Sequence, residues 1–186
     1  VDEIVVVVGF QKEQIIERVG DKVKIVVNSD YSTTNSSYSL WLARKFLDDS
    51  FIYLNSDLFF EKKIMDMLIA STPKNAMIVD KDRKNSEDMF KAKLVQNRIV
   101  ALSKEMEFRG DDIVAPGPIK FSRTGGKIML DKIDEIVNKG DKNQWCYSIL
   151  SEVTRKIKLH PIYTNGLLWF EIDTPEDLQR AKSYLG

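Results

Sequence analysis

Cysteine and histidine are almost missing: 186 residues hold one of each, Cys146 and His160. A lone cysteine excludes an intrachain disulfide and agrees with a reducing, cytoplasmic location. The same counts make a Cys/His zinc site impossible and argue against a histidine-based catalytic triad. His160 stands in a strand-like run beside Pro161 and reads as structural or surface. Neither sign of charge is in excess, with 28 Lys+Arg against 28 Asp+Glu. That balance argues against general nucleic-acid or membrane-surface binding, but leaves room for a local basic pocket around a small phosphorylated ligand. No apolar run is long enough to span a bilayer, and no cationic-then-apolar opening marks a signal peptide. The phosphate loop Gly-x-x-x-x-Gly-Lys does not occur, and Gly125-Gly126 is too short for a dinucleotide fingerprint.

The sequence is otherwise that of one globular domain, 43% hydrophobic and 30% charged. Strand-like and helical patterns alternate over the first third. Strands are expected over 3–8, 22–27 and 51–54, and helices over 12–19, 37–48 and 61–70. This rhythm predicts a parallel sheet with right-handed crossovers. The run Ile4-Val5-Val6-Val7-Val8 is apolar on both faces and predicts a buried central strand. Such a strand needs neighbours, so earlier sequence is expected ahead of Val1. Further on, strands are expected over 76–79, 90–95, 99–102 and 112–122, with a charged exposed loop over 80–88. Helices are expected over 126–137 and 145–154, then strands over 157–163 and 169–172. A last helix opens at Thr174-Pro175-Glu176-Asp177, where Thr174 can cap, Pro175 suits the first turn and Asp177 completes a capping box. Leu178, Ala181 and Leu185 form its predicted buried face.

Two apolar runs far apart in the sequence each end in an aspartate: Phe51-Ile52-Tyr53-Leu54-Asn55-Ser56-Asp57 and Leu167-Leu168-Trp169-Phe170-Glu171-Ile172-Asp173. Open α/β sheets bind ligands at the carboxyl ends of their strands. Two aspartates converging there can hold one Mg²⁺ against nucleotide phosphates. Each taken alone could equally be a turn or capping residue. The polar loop 28–39 offers hydroxyl and amide groups to a base or ribose, although it also reads as a solvated connection. Lys91, Lys93 and Lys104 punctuate the middle strands. Most such lysines face solvent, but one reaching a phosphate site would offset its charge.

In this order the motifs resemble the nucleotidyltransferases of the sugar-phosphate nucleotidylyltransferase and phosphocholine cytidylyltransferase type. Glu3-Ile4-Val5-Val6-Val7-Val8-Gly9-Phe10 is similar to that family's second strand and turn, and Asn55-Ser56-Asp57 to its metal-binding motif. Trp169-Phe170-Glu171-Ile172-Asp173-Thr174-Pro175-Glu176-Asp177-Leu178 is the most specific match. The resemblance implies a Rossmann-like three-layer α/β/α sandwich with a mostly parallel mixed sheet. It also implies one domain over 1–186 that lacks the family's first strand and Gly-rich triphosphate loop. The implied reaction moves a nucleoside monophosphate, with CTP favoured as donor, onto a small phosphorylated alcohol or phosphonate such as phosphocholine. A sugar 1-phosphate acceptor, or a non-catalytic nucleotide-binding module, stays open. Asp57 and Asp173 would hold Mg²⁺, with Lys104 as a charge-offsetting catalytic group. Asn35, Ser36, Tyr38, Ser39 and Ser56 would bind the nucleotide. Lys91, Gly117, Trp145 and Glu171 would meet the acceptor, Trp145 through cation–π contact with a cationic head group. Tyr147 reads as core. Oligomeric state is left open.

Overall fold

Alternate residues of one strand point to opposite faces, and the strand Ala76–Val79 (β5) uses both. Its Met77 and Val79 enter one apolar cluster, with Leu40, Met129, Ile133, Ile149 and Leu150. Its Ala76 and Ile78 enter a second, with Ile64, Leu68 and Trp169. Helices therefore cover both faces of the sheet, which makes the three-layer α/β/α sandwich. This computed structural model describes residues 2–83, 89–106 and 113–185.

The remaining elements are β1 (Val5–Val8), α1 (Lys12–Val19), β2 (Lys24–Val27), α2 (Ser36–Ala43), β3 (Phe51–Tyr53), β4 (Leu58–Phe60), α3 (Lys62–Ala70), β6 (Lys91–Val95) and β7 (Arg98–Ser103). They continue with β8 (Ile113–Val114), β9 (Ile119–Phe121), α4 (Arg123–Asn138), α5 (Cys146–Val153), β10 (His160–Tyr163), β11 (Trp169–Glu171) and α6 (Pro175–Leu185). The central sheet has the order β10-β5-β9-β3. There β10, β5 and β3 run one way and β9 runs against them. A parallel β1–β2 pair, an antiparallel β4–β11 ribbon and an antiparallel β7-β6-β8 sheet complete the fold. No described helix is long and apolar enough to cross a membrane.

Several expectations shift in detail. The valine run of β1 is less buried than predicted: only Val8 is buried and Ile4 is 55% exposed. Its pairing explains this, because among the described residues β1 has β2 as its one neighbour. The strand expected over 112–122 is broken into β8 and β9 by Ala115-Pro116-Gly117-Pro118, where the prolines supply no N–H to a ladder. Residue 112 lies outside the described residues, as do 84–88 of the expected charged loop. Helix α4 begins earlier than predicted, at Arg123, and runs through both glycines. The Ser122 hydroxyl accepts from Gly125 N at 3.1 Å. A Cβ on Gly125 would strike the Asn75 carboxamide, and one on Gly126 the Phe51 ring. Of the predicted buried face of α6 only Ala181 is buried, while Leu178 and Leu185 are exposed.

Candidate active site

The unexpected strand β4 builds the site. Leu58-Phe59-Phe60 pairs antiparallel with β11, placing Leu58 opposite Glu171 and Phe60 opposite Trp169. The ladder ends on a bond from Ile172 N to Asp57 O of 2.8 Å. Asp57 and Asp173, 116 positions apart in sequence, therefore leave the same end of one ribbon. The Asp173 end is fixed again from α6. Asp177 Oδ2 accepts from Thr174 N, Thr174 Oγ1 and, at 3.3 Å, Asp173 N, while Asp177 N donates to Thr174 Oγ1. This is the capping box expected from the sequence.

Both aspartates line a cleft with Glu171, Trp169, Asn55, Ser36, Lys104, Phe90, Trp145 and Tyr147. The cleft lies beyond the end of β3, at Asn55 and Asp57, and at the approach to β9, at Val114, Ala115 and Pro116. Among the described residues, the carboxylates of Asp57, Glu171 and Asp173 and the ammonium-bearing Lys104 line it together. Burial raises the Glu171 carboxyl above its ordinary value, and the charges of Asp57 and Asp173 raise it further against Lys104 and Arg83. Asp57 is raised chiefly by burial, which outweighs a backbone hydrogen bond, with Asp173 adding to the rise. The Lys104 ammonium lies 4.9 Å from the Trp145 ring centroid and 5.5 Å from that of Phe90. Tyr147 is buried and stays protonated because burial pushes its hydroxyl up, and it donates to Pro116 O at 3.0 Å. Burial pushes the Cys146 thiol up to about 12, which removes it as a nucleophile.

The donor chemistry fits a hard divalent cation: two aspartates, held together against their own repulsion. Among the described residues no cluster of three or more ligating side chains occurs. Mg²⁺ suits such a pair, since it commonly takes one or two carboxylates and fills the rest of its shell with phosphate oxygens and water.

The raised Asp57 carboxyl, lifted by burial and then by the Asp173 charge, has a measurable consequence. A carboxyl whose folded value is raised contributes stability that is present below its ordinary value and lost as pH rises through the raised one. In metal-free buffer near neutral pH, Asp57→Asn should therefore melt above the wild-type chain. The gap should close as pH falls through the carboxylate range. A gap that does not vary with pH would show that Asp57 is under no such stress.

Of the predicted site residues, Asp57, Asp173, Lys104, Glu171, Trp145 and Ser36 meet at the cleft, whereas Asn35, Tyr38, Ser39, Ser56, Lys91 and Gly117 are not among its lining. Lys91 is buried, and its ammonium donates to Lys104 O at 2.9 Å, so it holds the backbone of Lys104. Gly117 lies behind the lining: its φ is +73°, and a Cβ there would strike the Tyr147 hydroxyl. Tyr38 is buried and stacks on Trp41 with centroids 5.4 Å apart. Asn35 caps α2, its Oδ1 accepting from Ser36 N at 2.7 Å, and Ser39 Oγ accepts from Asn28 at 3.3 Å. Ser36 Oγ accepts from Cys146 N at 2.9 Å, which caps α5 at the cleft wall. His160 keeps a structural contact, with Nδ1 3.1 Å from Asn97 O. The sequence reading passed over Trp169, although it sits two residues from Glu171 and so shares its face of the strand.

No protein-family model matches the chain. It is 26% identical over 163 residues to the bifunctional IPC transferase and DIPP synthase of Aquifex aeolicus, covering 86% of this chain and 35% of that protein. It is 39% identical over 82 residues to the CMP-5'-(3-aminopropyl)phosphonate synthase of Streptomyces rubellomurinus, covering 41% of this chain and 13% of that one. The chain thus spans little more than a third of the first relative and less of the second. Its fold superposes on the CTP:phosphocholine cytidylyltransferase of Streptococcus pneumoniae with a TM-score of 0.77 at 16% identity, covering 99% of this chain and 78% of that one. The fold is that of the nucleotidyltransferases, as the motifs implied.

Proposed function

We propose that this chain forms the transfer site of a Mg²⁺-dependent nucleotidyltransferase that moves CMP from CTP onto a small phosphorylated alcohol or phosphonate. The observation that carries the reading is the β4–β11 ladder, which sets Asp57 and Asp173 side by side in a cleft that Lys104 also lines. The likeness to a phosphonate CMP synthase and a phosphocholine cytidylyltransferase supports the donor and the acceptor class.

The chemistry is an in-line displacement. An acceptor phosphate or phosphonate oxygen forms a bond to the α-phosphorus. The bond from that phosphorus to the α–β bridging oxygen breaks, and its electron pair leaves with pyrophosphate. Such transfers depend on positioning and charge neutralisation more than on a protein base. Asp57 and Asp173 would hold Mg²⁺, which supplies charge neutralisation at the phosphates when bound. Lys104 is free to leave its aromatic neighbours and meet an acceptor or phosphate oxygen as a point charge. Lys91 keeps the Lys104 backbone still while the side chain does so. Glu171 and the face of Trp145 remain for the far end of the acceptor, where an ammonium would be favoured by both.

The whole natural protein should release pyrophosphate from CTP with Mg²⁺ and one of a panel of phosphocholine, aminoalkyl phosphonates, polyol phosphates and sugar 1-phosphates. CTP should outperform ATP, GTP and UTP. Saturable nucleotide binding with no pyrophosphate release from any pair would replace the transferase with a binding module.

A further inference from the structure

Among the described residues, the ribbon that carries the acidic groups has no backbone ladder to the main sheet: β11 pairs with β4, and the two form a separate sheet. What joins β11 to the end of β5 is a set of side chains that the transfer chemistry does not use. Asp80 directly follows β5 and is 6% exposed. Its backbone exchanges two hydrogen bonds with Val114, at 2.8 and 2.9 Å. Asp80 Oδ2 accepts from the Trp169 indole at 2.6 Å, while Oδ1 accepts from Asp82 N and Arg83 N. Arg83 closes the set from the other side. Its guanidinium lies 4.1 Å from the Trp169 ring centroid, and Nη1 donates to Trp169 O at 3.0 Å.

We propose that Asp80 and Arg83 are positioning residues that clasp Trp169 and thereby set where Glu171 and Asp173 stand in the cleft. The proposal rests on the reading of that cleft as the transfer site. Trp169 is the first residue of β11, two before Glu171 and four before Asp173. A three-residue strand cannot set its own angle, so its fixed points decide the direction of everything after it. At the far end Asp57 O and the Asp177 carboxylate hold Ile172 and Asp173. At the near end the clasp is the fixed point toward β5. It holds the indole by a charge-assisted bond, the ring by stacking and the carbonyl by the guanidinium. Burial alone would raise the Asp80 carboxyl. The bonds from Trp169, Asp82 and Arg83 hold it below its ordinary value, so it stays an anion under the indole.

Two near-isosteric changes test this in the whole natural protein. Asp80→Asn keeps an oxygen for the two loop N–H groups but turns an amide N–H toward the indole. Arg83→Met keeps the stack and loses the charge and the bond to Trp169 O. Binding of Mn²⁺, read by water-proton relaxation without turnover, should weaken about tenfold in each, in the range of about 10–100-fold seen for groups that orient metal ligands. Asp57→Ala should abolish it. Ile133→Val, in the core under α4, supplies a loss of thermal stability unconnected with the clasp and should leave Mn²⁺ affinity unchanged. Arg83→Lys should recover part of the loss. If Asp57→Ala abolishes binding while Asp80→Asn and Arg83→Met match the wild type, the clasp is wrong and the site reading stands. If Asp57→Ala leaves binding unchanged, the site reading falls and the clasp with it.

Discussion

Asp57→Asn and Asp173→Asn should each lower the rate of pyrophosphate release by about 10²–10³-fold, the loss expected when about 3–4 kcal/mol of metal-assisted charge stabilisation is removed. The two substitutions are nearly isosteric and leave the ladder intact, because the bond from Ile172 uses the backbone of Asp57 and not its carboxylate. Circular dichroism and gel filtration should therefore match the wild-type protein. If both carboxylates serve one Mg²⁺, the double variant should fall little below the worse single one, since the second loss removes a group whose partner is already gone. Full additivity would place the two at separate tasks. Full activity in either single variant would remove that residue from the metal site. Asp57→Asn carries an opposed pair of expectations, because it should stabilise the metal-free fold while disabling transfer. A gain of stability with a loss of activity marks a group held in a poor environment for the sake of its work.

How far the sequence could be read depended on the length of the signal. The amphipathic helices were legible: Ile64 with Leu68 on α3, Met129 with Ile133 on α4 and Cys146 with Ile149, Leu150 and Val153 on α5 are all buried as their spacing requires. The capping box at Thr174 and Asp177 was legible because every partner lies within four residues. Strand β4 was not, because Leu58-Phe59-Phe60 is too short to show any period and runs straight into a helix. Yet β4 is the element that turns two distant aspartates into neighbours. The contact between Asp80 and Trp169 spans 89 positions, and nothing local in either segment announces it. Lys91 and Lys104 show the same limit among charges. Both were candidates on chemistry alone, and only packing separates the buried lysine that holds a carbonyl from the one whose ammonium reaches the cleft. Residue types can name the chemistry a site needs, while long-range register decides which copies of that chemistry meet.

The same register predicts the largest effect on stability. Phe170 alternates with Trp169 and Glu171, so it points away from the cleft, and it is 1% exposed. Phe59 of the partner strand stacks on it with centroids 4.9 Å apart. The Arg180 guanidinium of α6 covers it at 4.3 Å, and Tyr184 flanks both rings at 6.1 and 6.3 Å. Phe170 therefore joins β4, β11 and α6 on the side opposite the acidic groups. Truncation to alanine should cost about 3–5 kcal/mol, through lost burial and the cavity left behind. For a domain of this size that corresponds to a fall in melting temperature of roughly 6–20 °C. Phe170→Leu refills most of the space and should cost much less. Thermal or urea unfolding checks both. A loss below about 1 kcal/mol for Phe170→Ala would mean that the ribbon is held from the cleft side alone. The comparison with the Asp80 and Arg83 variants separates two duties of one short strand. Its buried face should govern whether the ribbon stays folded, and the clasp on Trp169 should govern where the carboxylates point once it has.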